Sequence, residues 1–368
     1  MEIPLIDLGA QHRPLQPELD AAWRASLDAG DFIGGAPVRD FEAAFAKTFH
    51  HAHVTACGNG TDAIELVLDA LGIGPGDEVV VPAMTWFSTG EAVTTRGARA
   101  VFADVDPVTR GLSPATVAPH LTPRTRAVIA VHLYGHPCDV AGLRARCDER
   151  GLYLVEDCAQ AHGARIGGRP VGNFGHAATY SFFPTKNLGA LGDGGAVACA
   201  DAALAEAVRL RAHHGQARRH RHVLCGRNSR LDALQARVLS LKLPHLERWV
   251  AERNALAARY TAALAEVPGL TLPAHPADPR DRHAWHLYVV RAERRDRLRA
   301  ALAAADVATA VHYPTPLHLQ PAYAEGAPPP SLPVSEAIGR TALSLPFYPG
   351  LPEAHLARVV AAVKSFAA

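Results

Sequence analysis

The sequence predicts an α/β protein: a mostly parallel sheet covered by helices on both faces, followed by a smaller α+β part. Two observations carry that reading. Strand-length apolar runs alternate with helical stretches as far as Ala200, and the runs are nearly continuous in apolar residues, as strands buried on both faces must be. The composition of the 368 residues, 48% hydrophobic and 20% charged, is that of an ordinary globular chain long enough for two domains.

Taken in order, residues 15–27 and 38–49 have helix-like spacing with a turn-rich stretch between them. A short strand at 54–56 runs into CGNGTDAIELVLDALGIGPGD, where Ile64, Val67, Leu68 and Leu71 recur at i, i+3, i+4 and i+7. This is a glycine turn opening an amphipathic helix, which Gly72, Gly74, Pro75 and Gly76 end. Strand signals follow at 78–83, 100–105, 127–133, 152–157, 178–183 and 196–200, with helices at 90–96 and 140–150 among them. After a helix at 204–212, residues 215–228 (GQARRHRHVLCGRN) are basic and polar with no apolar period, which suits a solvated loop or a phosphate-contacting one. From residue 246 the character changes. A long helix at 246–264 leads to a strand, WHLYVV, at 285–290 and a helix at 295–305. Then come a strand-like TAVHYP at 309–314, a Pro-rich connection at 314–333 and a C-terminal helix at 355–366. The expected domains are 1–245 and 246–368.

Thirty-seven basic against 36 acidic residues leave a formal charge of +1, so no global field points to nucleic acid or an anionic membrane. The opening MEIPLIDLGAQHRPL lacks a basic segment followed by an apolar one, and no apolar run reaches the roughly 18 residues of a membrane span. A cytoplasmic protein is expected. The six cysteines show no CxxC pairing and sit mostly in apolar context, as buried free thiols do. Among 20 histidines the tightest cluster is His50, His51 and His53, but neighbours on a strand point to opposite faces and no ligand set completes them. No metal is expected.

Chemistry converges on residues 178–197, ATYSFFPTKNLGALGDGGAV. A strand stops at Pro184 and delivers Lys186 into a segment with Gly189, Gly192, Gly194 and Gly195, where main chain can come close to a bound group. In LYLVEDCAQAHG, Asp157 ends a buried strand, with Gln160 just beyond; a carboxylate there is costly unless it meets a cation. A protonated pyridine nitrogen at 4 Å would attract it by on the order of 4 kcal/mol at an effective dielectric of about 20, roughly 3 pK units. The GNGTDA turn supplies free amides at a helix N-terminus, which favours a phosphate, and Trp86 either stacks on an aromatic ring or packs in the core. An imine-forming lysine, an aspartate for a ring nitrogen and a helix terminus for a phosphate are together the requirements of pyridoxal phosphate.

The runs GNGTDA, PGDEVVVPAMTW, VEDCAQAHGA, SFFPTKNLGALGDGGA, NSRLDALQA and VHYP, in that order, resemble the DegT/DnrJ/StrS nucleotide-sugar aminotransferases over nearly the whole chain. The resemblance implies a fold-type-I pyridoxal phosphate enzyme with a mixed seven-stranded sheet, working as a homodimer with shared active sites. It makes Lys186 the Schiff-base lysine and Asp157 the partner of the pyridine nitrogen. Gln160 then lies near the phenolic oxygen and Trp86 at the stacking position. Gly60, Thr61 and Ser181 match phosphate positions, with Asn228 reaching in from the neighbouring subunit. Arg230, His312 and Tyr313 match the sugar and amino-donor pocket, and the basic loop, Arg219 included, becomes a contact for a nucleotide diphosphate. Asn59, Cys158 and His176 depart from commoner family residues without removing a catalytic group. The implied reaction moves an amino group from L-glutamate to a keto group of a nucleotide-linked hexose, at C3 by the GDGG form of residues 192–195; C4 and cyclitol ketones are alternatives. From another class, a non-catalytic cofactor-binding regulator is the alternative.

Overall fold

The computed structural model describes residues 2–324 and 328–367. Seven strands, β1 (His53–Cys57), β2 (Glu78–Pro82), β3 (Arg99–Ala103), β4 (Thr125–Val131), β5 (Tyr153–Asp157), β6 (Ala177–Ser181) and β7 (Gly195–Cys199), form one sheet in the order β1-β7-β6-β5-β4-β2-β3. From β3 to β6 the pairings are parallel, and β7 alone runs antiparallel to both its neighbours. The connections explain this. Parallel neighbours need long crossovers, whereas β6 and β7 are joined by a helix-free loop over 182–194, which holds Lys186. Alternation along β4 shows both faces covered: Ala127, Ile129 and Val131 enter one apolar core, while Val128 and Ala130 enter another.

A second, antiparallel sheet consists of β8 (Leu270–Thr271), β9 (Tyr288–Ala292) and β10 (Ala342–Leu345). Tyr288 and Val290 face its own helices, and Val289 faces the core of the large sheet. Helix Leu246–Leu264 spans two cores, with Leu246 and Val250 in one and Leu256, Tyr260 and Leu264 in the other.

Several elements differ from the sequence reading. The 309–314 stretch is not a strand but makes a single bridge, Ala310 to Ser344; Pro314 has no N–H to extend a ladder. The strand expected from Trp285 starts only at Tyr288, because Trp285 has φ +47°, outside the extended region. Helices Ala233–Lys242 and Pro333–Thr341 and strand β10 had no reading from sequence. The basic 215–228 loop carries a small ribbon, Gln216–Arg218 paired with Arg221–His222. Residues 325–327 of the Pro-rich connection lie outside the described residues. Five cysteines are buried, whereas Cys225 is exposed. Among the described residues, no helix is long and apolar enough to cross a membrane.

Candidate functional site

At the carboxyl ends of β2, β4, β5 and β6 lies a cavity of about 430 Å³. This is the place where ligands sit in open α/β sheets. Its walls include Gly60, Thr61, Trp86, Asp157, Gln160, Ser181, Lys186, His312 and Tyr313, which the sequence scatters over more than two-thirds of the chain. A second cavity of similar volume, about 420 Å³, lies between the N-terminal helices and helix Leu246–Leu264 and contains none of these residues.

Local structure explains each wall. Helix Gly60–Ala70 is capped by Asn59, whose Oδ1 accepts from the Asp62 amide at 2.8 Å. Its first-turn amides at Gly60 and Thr61 stand outside the intrahelical ladder. A Cβ on Gly60 would lie 2.7 Å from the Ser181 Cβ, so glycine is what lets the helix start touch the end of β6. The Thr61 hydroxyl donates to Ser88 at 2.8 Å. Behind the turn, Ser229 accepts from the Gly58 amide at 3.0 Å and donates to Asp62 at 2.5 Å.

The 182–194 loop closes tightly on itself. A Cβ on Gly189 would come 2.3 Å from the Pro184 carbonyl oxygen. The Lys186 amide donates to Phe183 at 2.9 Å, and Ala190 donates to Phe182 at 2.7 Å. From beneath, the buried Lys242 ammonium donates to the Gly189 carbonyl. Lys186 is thereby aimed into the cavity from a fixed backbone.

Asp157 is 7% exposed at the end of β5. Its oxygens accept from the Ala159 amide at 3.0 Å and, weakly, from the Thr89 hydroxyl at 3.4 Å. Burial pushes this carboxyl above its ordinary value, with Ala159 and Lys186 pulling the other way. For Lys186, burial lowers the ammonium to about 8 and Asp157 opposes it. In both groups desolvation outweighs mutual attraction, so Asp157 is a buried carboxyl short of a counter-charge and Lys186 an amine that gives up its proton more readily than an ordinary lysine.

Gln160 ties the opposite wall together. Its Oε1 accepts from the Tyr134 amide at 2.7 Å and its Nε2 donates to the Tyr313 hydroxyl at 3.1 Å. His312 Nδ1 meets the Ser344 hydroxyl at 2.8 Å, and burial, then Lys186, lowers this imidazole to about 4. Trp86 is 57% exposed at the mouth, its ring 5.4 Å from that of Tyr313.

Three expected site residues do not line the cavity. Asn228 and Arg219 are exposed on the 215–228 segment, and Arg230 is partly buried beside it. Conversely, Ser88, Thr89, Thr185 and His286 line it without having been singled out, and Asp193, read from sequence only as part of the GDGG form, lines it too. For Ser88 and Thr89 a signal existed: the hydroxyl residues Thr85, Ser88 and Thr89 follow within a few positions of the buried strand β2.

The buried trio His132, Glu156 and Cys158 lies behind this wall, with ligand-type atoms within 4.8 Å of one another. The lone pairs of its carboxylate and imidazole are already in use. Glu156 accepts from the amides of Gly172 (2.7 Å), Phe174 (2.7 Å) and Gly175 (2.6 Å) and from His132 Nε2 (3.1 Å), while His132 Nδ1 accepts from the Cys138 amide at 3.2 Å. The trio is therefore a clamp that fixes the 172–175 loop against the strand carrying Asp157.

Comparison with known proteins agrees with this geometry. A model of the DegT/DnrJ/EryC1/StrS aminotransferase family matches residues 15–364. The chain is 48% identical over 368 residues to the "Erythromycin biosynthesis sensory transduction protein EryC1" of Saccharopolyspora erythraea, covering 99% of this chain and 100% of that protein. It is 46% identical over 368 residues to the "dTDP-3-amino-3,4,6-trideoxy-alpha-D-glucose transaminase" of Streptomyces venezuelae, covering 99% and 96%. The crystal structure of S. venezuelae DesV in complex with a ketimine intermediate superposes with a TM-score of 0.96 at 46% identity, covering 100% of this chain and 98% of that one. With its mixed seven-stranded sheet and its cavity at the strand ends, the chain belongs to the DegT/DnrJ/EryC1/StrS aminotransferase family.

Proposed function

We propose that this protein is a pyridoxal-phosphate-dependent aminotransferase that moves the amino group of L-glutamate to a keto carbon, C3 by preference, of a nucleotide-linked hexose. The observation that carries it is the convergence of Lys186 and Asp157 on one cavity whose third wall is a glycine-opened helix N-terminus. The residues fit the cofactor. Asp157 would hold the pyridine nitrogen, which supplies the cation this buried carboxylate is short of. The first-turn amides of Gly60 and Thr61, with the Thr61 and Ser181 hydroxyls, would hold the phosphate. Gln160 would meet the phenolic oxygen, and Trp86 would cover the ring. When bound, the cofactor supplies an aldehyde carbon that takes up amines and an electron sink for the bond being broken.

The rest is the work of this chain's own side chains. Lys186, made easier to deprotonate by burial, would be the amine that meets the aldehyde carbon and, once displaced by the donor's amine, would carry a proton to and from the donor's Cα. Asp157 would favour the protonated ring nitrogen. Gln160 is locked by Tyr134 and Tyr313 and so pays little entropy to bind.

We read the working unit as a homodimer. Apolar side chains stand exposed beside the catalytic loop: Phe32 and Ile33, joined to the start of helix Ala233–Lys242 through Asp232 and Ala233, with Leu191 and Phe183 nearby. In this reading Asn228 completes the partner's phosphate subsite, Arg219 its nucleotide subsite and Arg230 its sugar and amino-donor pocket. Sedimentation of the cofactor-loaded protein at the mass of one protomer would contradict it.

The name of the Streptomyces venezuelae relative supports C3. A second reading, a non-catalytic regulator, draws on the "sensory transduction" name of the Saccharopolyspora relative. Retention of both Lys186 and Asp157 facing one cavity favours catalysis. The test of substrate is a panel of nucleotide-linked 3-keto and 4-keto hexoses offered to the amino-loaded enzyme, with products identified by mass and NMR. Amine at C3 is expected, and amine at C4 alone would overturn the position.

A further inference from the structure

We infer that His286 is a further substrate-contacting residue of this site, its imidazole hydrogen-bonding an oxygen of the substrate bound at Lys186, and that Arg253 is the positioning residue that holds it there. The inference rests on the aminotransferase reading above.

His286 is 5% exposed and lines the cavity, and its Nδ1 is buried without a hydrogen-bond partner. An unpaired buried polar atom costs stability unless a ligand or water meets it. The backbone delivering it is held at each polar group. The Ala284 amide donates to the Gly135 carbonyl and the His286 amide to the Tyr134 carbonyl, both at 2.8 Å. The Trp285 amide donates to His283 Nδ1 at 2.7 Å. Asn254 donates to the His283 carbonyl at 3.0 Å, and Asn187, the neighbour of Lys186, donates to the Ala284 carbonyl at 2.8 Å. Arg253 Nη1 bridges the last two carbonyls, Trp285 at 3.0 Å and His286 at 3.3 Å.

Two features are uneconomical for a purely structural turn. Trp285 takes a left-handed φ of +47°, which a bulky side chain rarely adopts and which persists only where the surroundings enforce it. Arg253 is 2% exposed, and its guanidinium contacts are carbonyls and the Phe347 ring at 5.7 Å. A buried cation given over to two carbonyls fixes the direction of the imidazole. Tyr134 completes the link, because its amide is held by Gln160 and its hydroxyl donates to the His312 carbonyl. Hydrogen bonds through Tyr134 therefore tie His286 to Gln160 and His312. A neutral imidazole offers one donor and one acceptor, which suits both a carboxylate-bearing donor and a hydroxyl-rich acceptor using the same cavity in turn.

The test uses cofactor-loaded enzyme and L-glutamate as the probe, in single-turnover reactions with wild type, His286→Leu, His286→Gln and Arg253→Met. His286→Leu is expected to lower the second-order rate constant for glutamate by about 10- to 100-fold. Cofactor affinity and thermal midpoint should stay at wild-type values, and His286→Gln should recover part of the loss. Arg253→Met should act in the same direction and add nothing to His286→Leu, since it works through that residue. A wild-type rate in His286→Leu, or a loss matched by lost cofactor binding and lowered stability, would overturn the inference. A wild-type enzyme inert to glutamate would instead sink the donor assignment. His286 is then read by histidine NMR: the ring signals that vanish in His286→Leu should move when the apoprotein takes up pyridoxal phosphate, and unmoved signals would overturn it.

Discussion

Lys186→Ala is expected to cut amino transfer by at least about 10²- to 10⁴-fold, the range for loss of a positioned proton carrier alone, with the nucleophile's contribution on top. Borohydride reduction of the loaded protein should tag Lys186 in the wild type and no site in the variant. The reactivity has a pH signature. Burial lowers the ammonium from its ordinary value to about 8, so the free amine accumulates as pH rises through that value. The rate at which apoprotein captures pyridoxal phosphate should climb from about pH 7 to 9 and then level off, as the neutral fraction does. Because the Asp157 charge opposes the lowering, Asp157→Asn should move the midpoint to lower pH. A tag that survives in Lys186→Ala would show that another residue is the imine-former.

Asp157→Asn should cost about 10³-fold in the rate of the glutamate half-reaction. The figure converts the roughly 4 kcal/mol attraction between a carboxylate and a protonated ring nitrogen at 4 Å. Stability should move the other way. Burial holds the folded-state pKa of Asp157 above its ordinary value, so ionising this carboxyl disfavours the fold at neutral pH, and asparagine removes that penalty. Thermal unfolding of the apoprotein should therefore show an unchanged or raised midpoint beside the lost rate. A variant that lost rate and stability together would identify Asp157 as a structural residue.

The features legible in the sequence are those that short stretches encode by themselves. Asp157 and Lys186 each stand at the end of a buried run, and Gly60 stands in a capped turn, so strand, breaker and glycine appear in neighbouring letters. What remained hidden is made by tertiary contact. Thr89 becomes a partner of Asp157 only because the helix Ser88–Thr95 packs over the strand ends. His286 reads as an ordinary residue at the start of a strand. Its exposure to the cavity depends on the φ of Trp285 and on Arg253, which is 33 positions away. The 309–314 stretch shows the opposite error. Its β-branched and aromatic residues suggest a strand, yet His312 and Tyr313 turn into the cavity, and a single bridge holds the segment to β10. Asn228, Arg219 and Arg230 lie outside the cavity of their own chain, so the roles proposed for them require a second copy.

Transfer of an amino group from glutamate is the reaction proposed for this site. Its most direct measurement is the visible absorbance of the protein, shown to carry pyridoxal phosphate, on addition of L-glutamate, with 2-oxoglutarate counted in the same sample. The prediction is loss of the visible band with one 2-oxoglutarate released per site, and its return when the keto-sugar is supplied. An unchanged band with no 2-oxoglutarate, in protein of verified cofactor content, would contradict it.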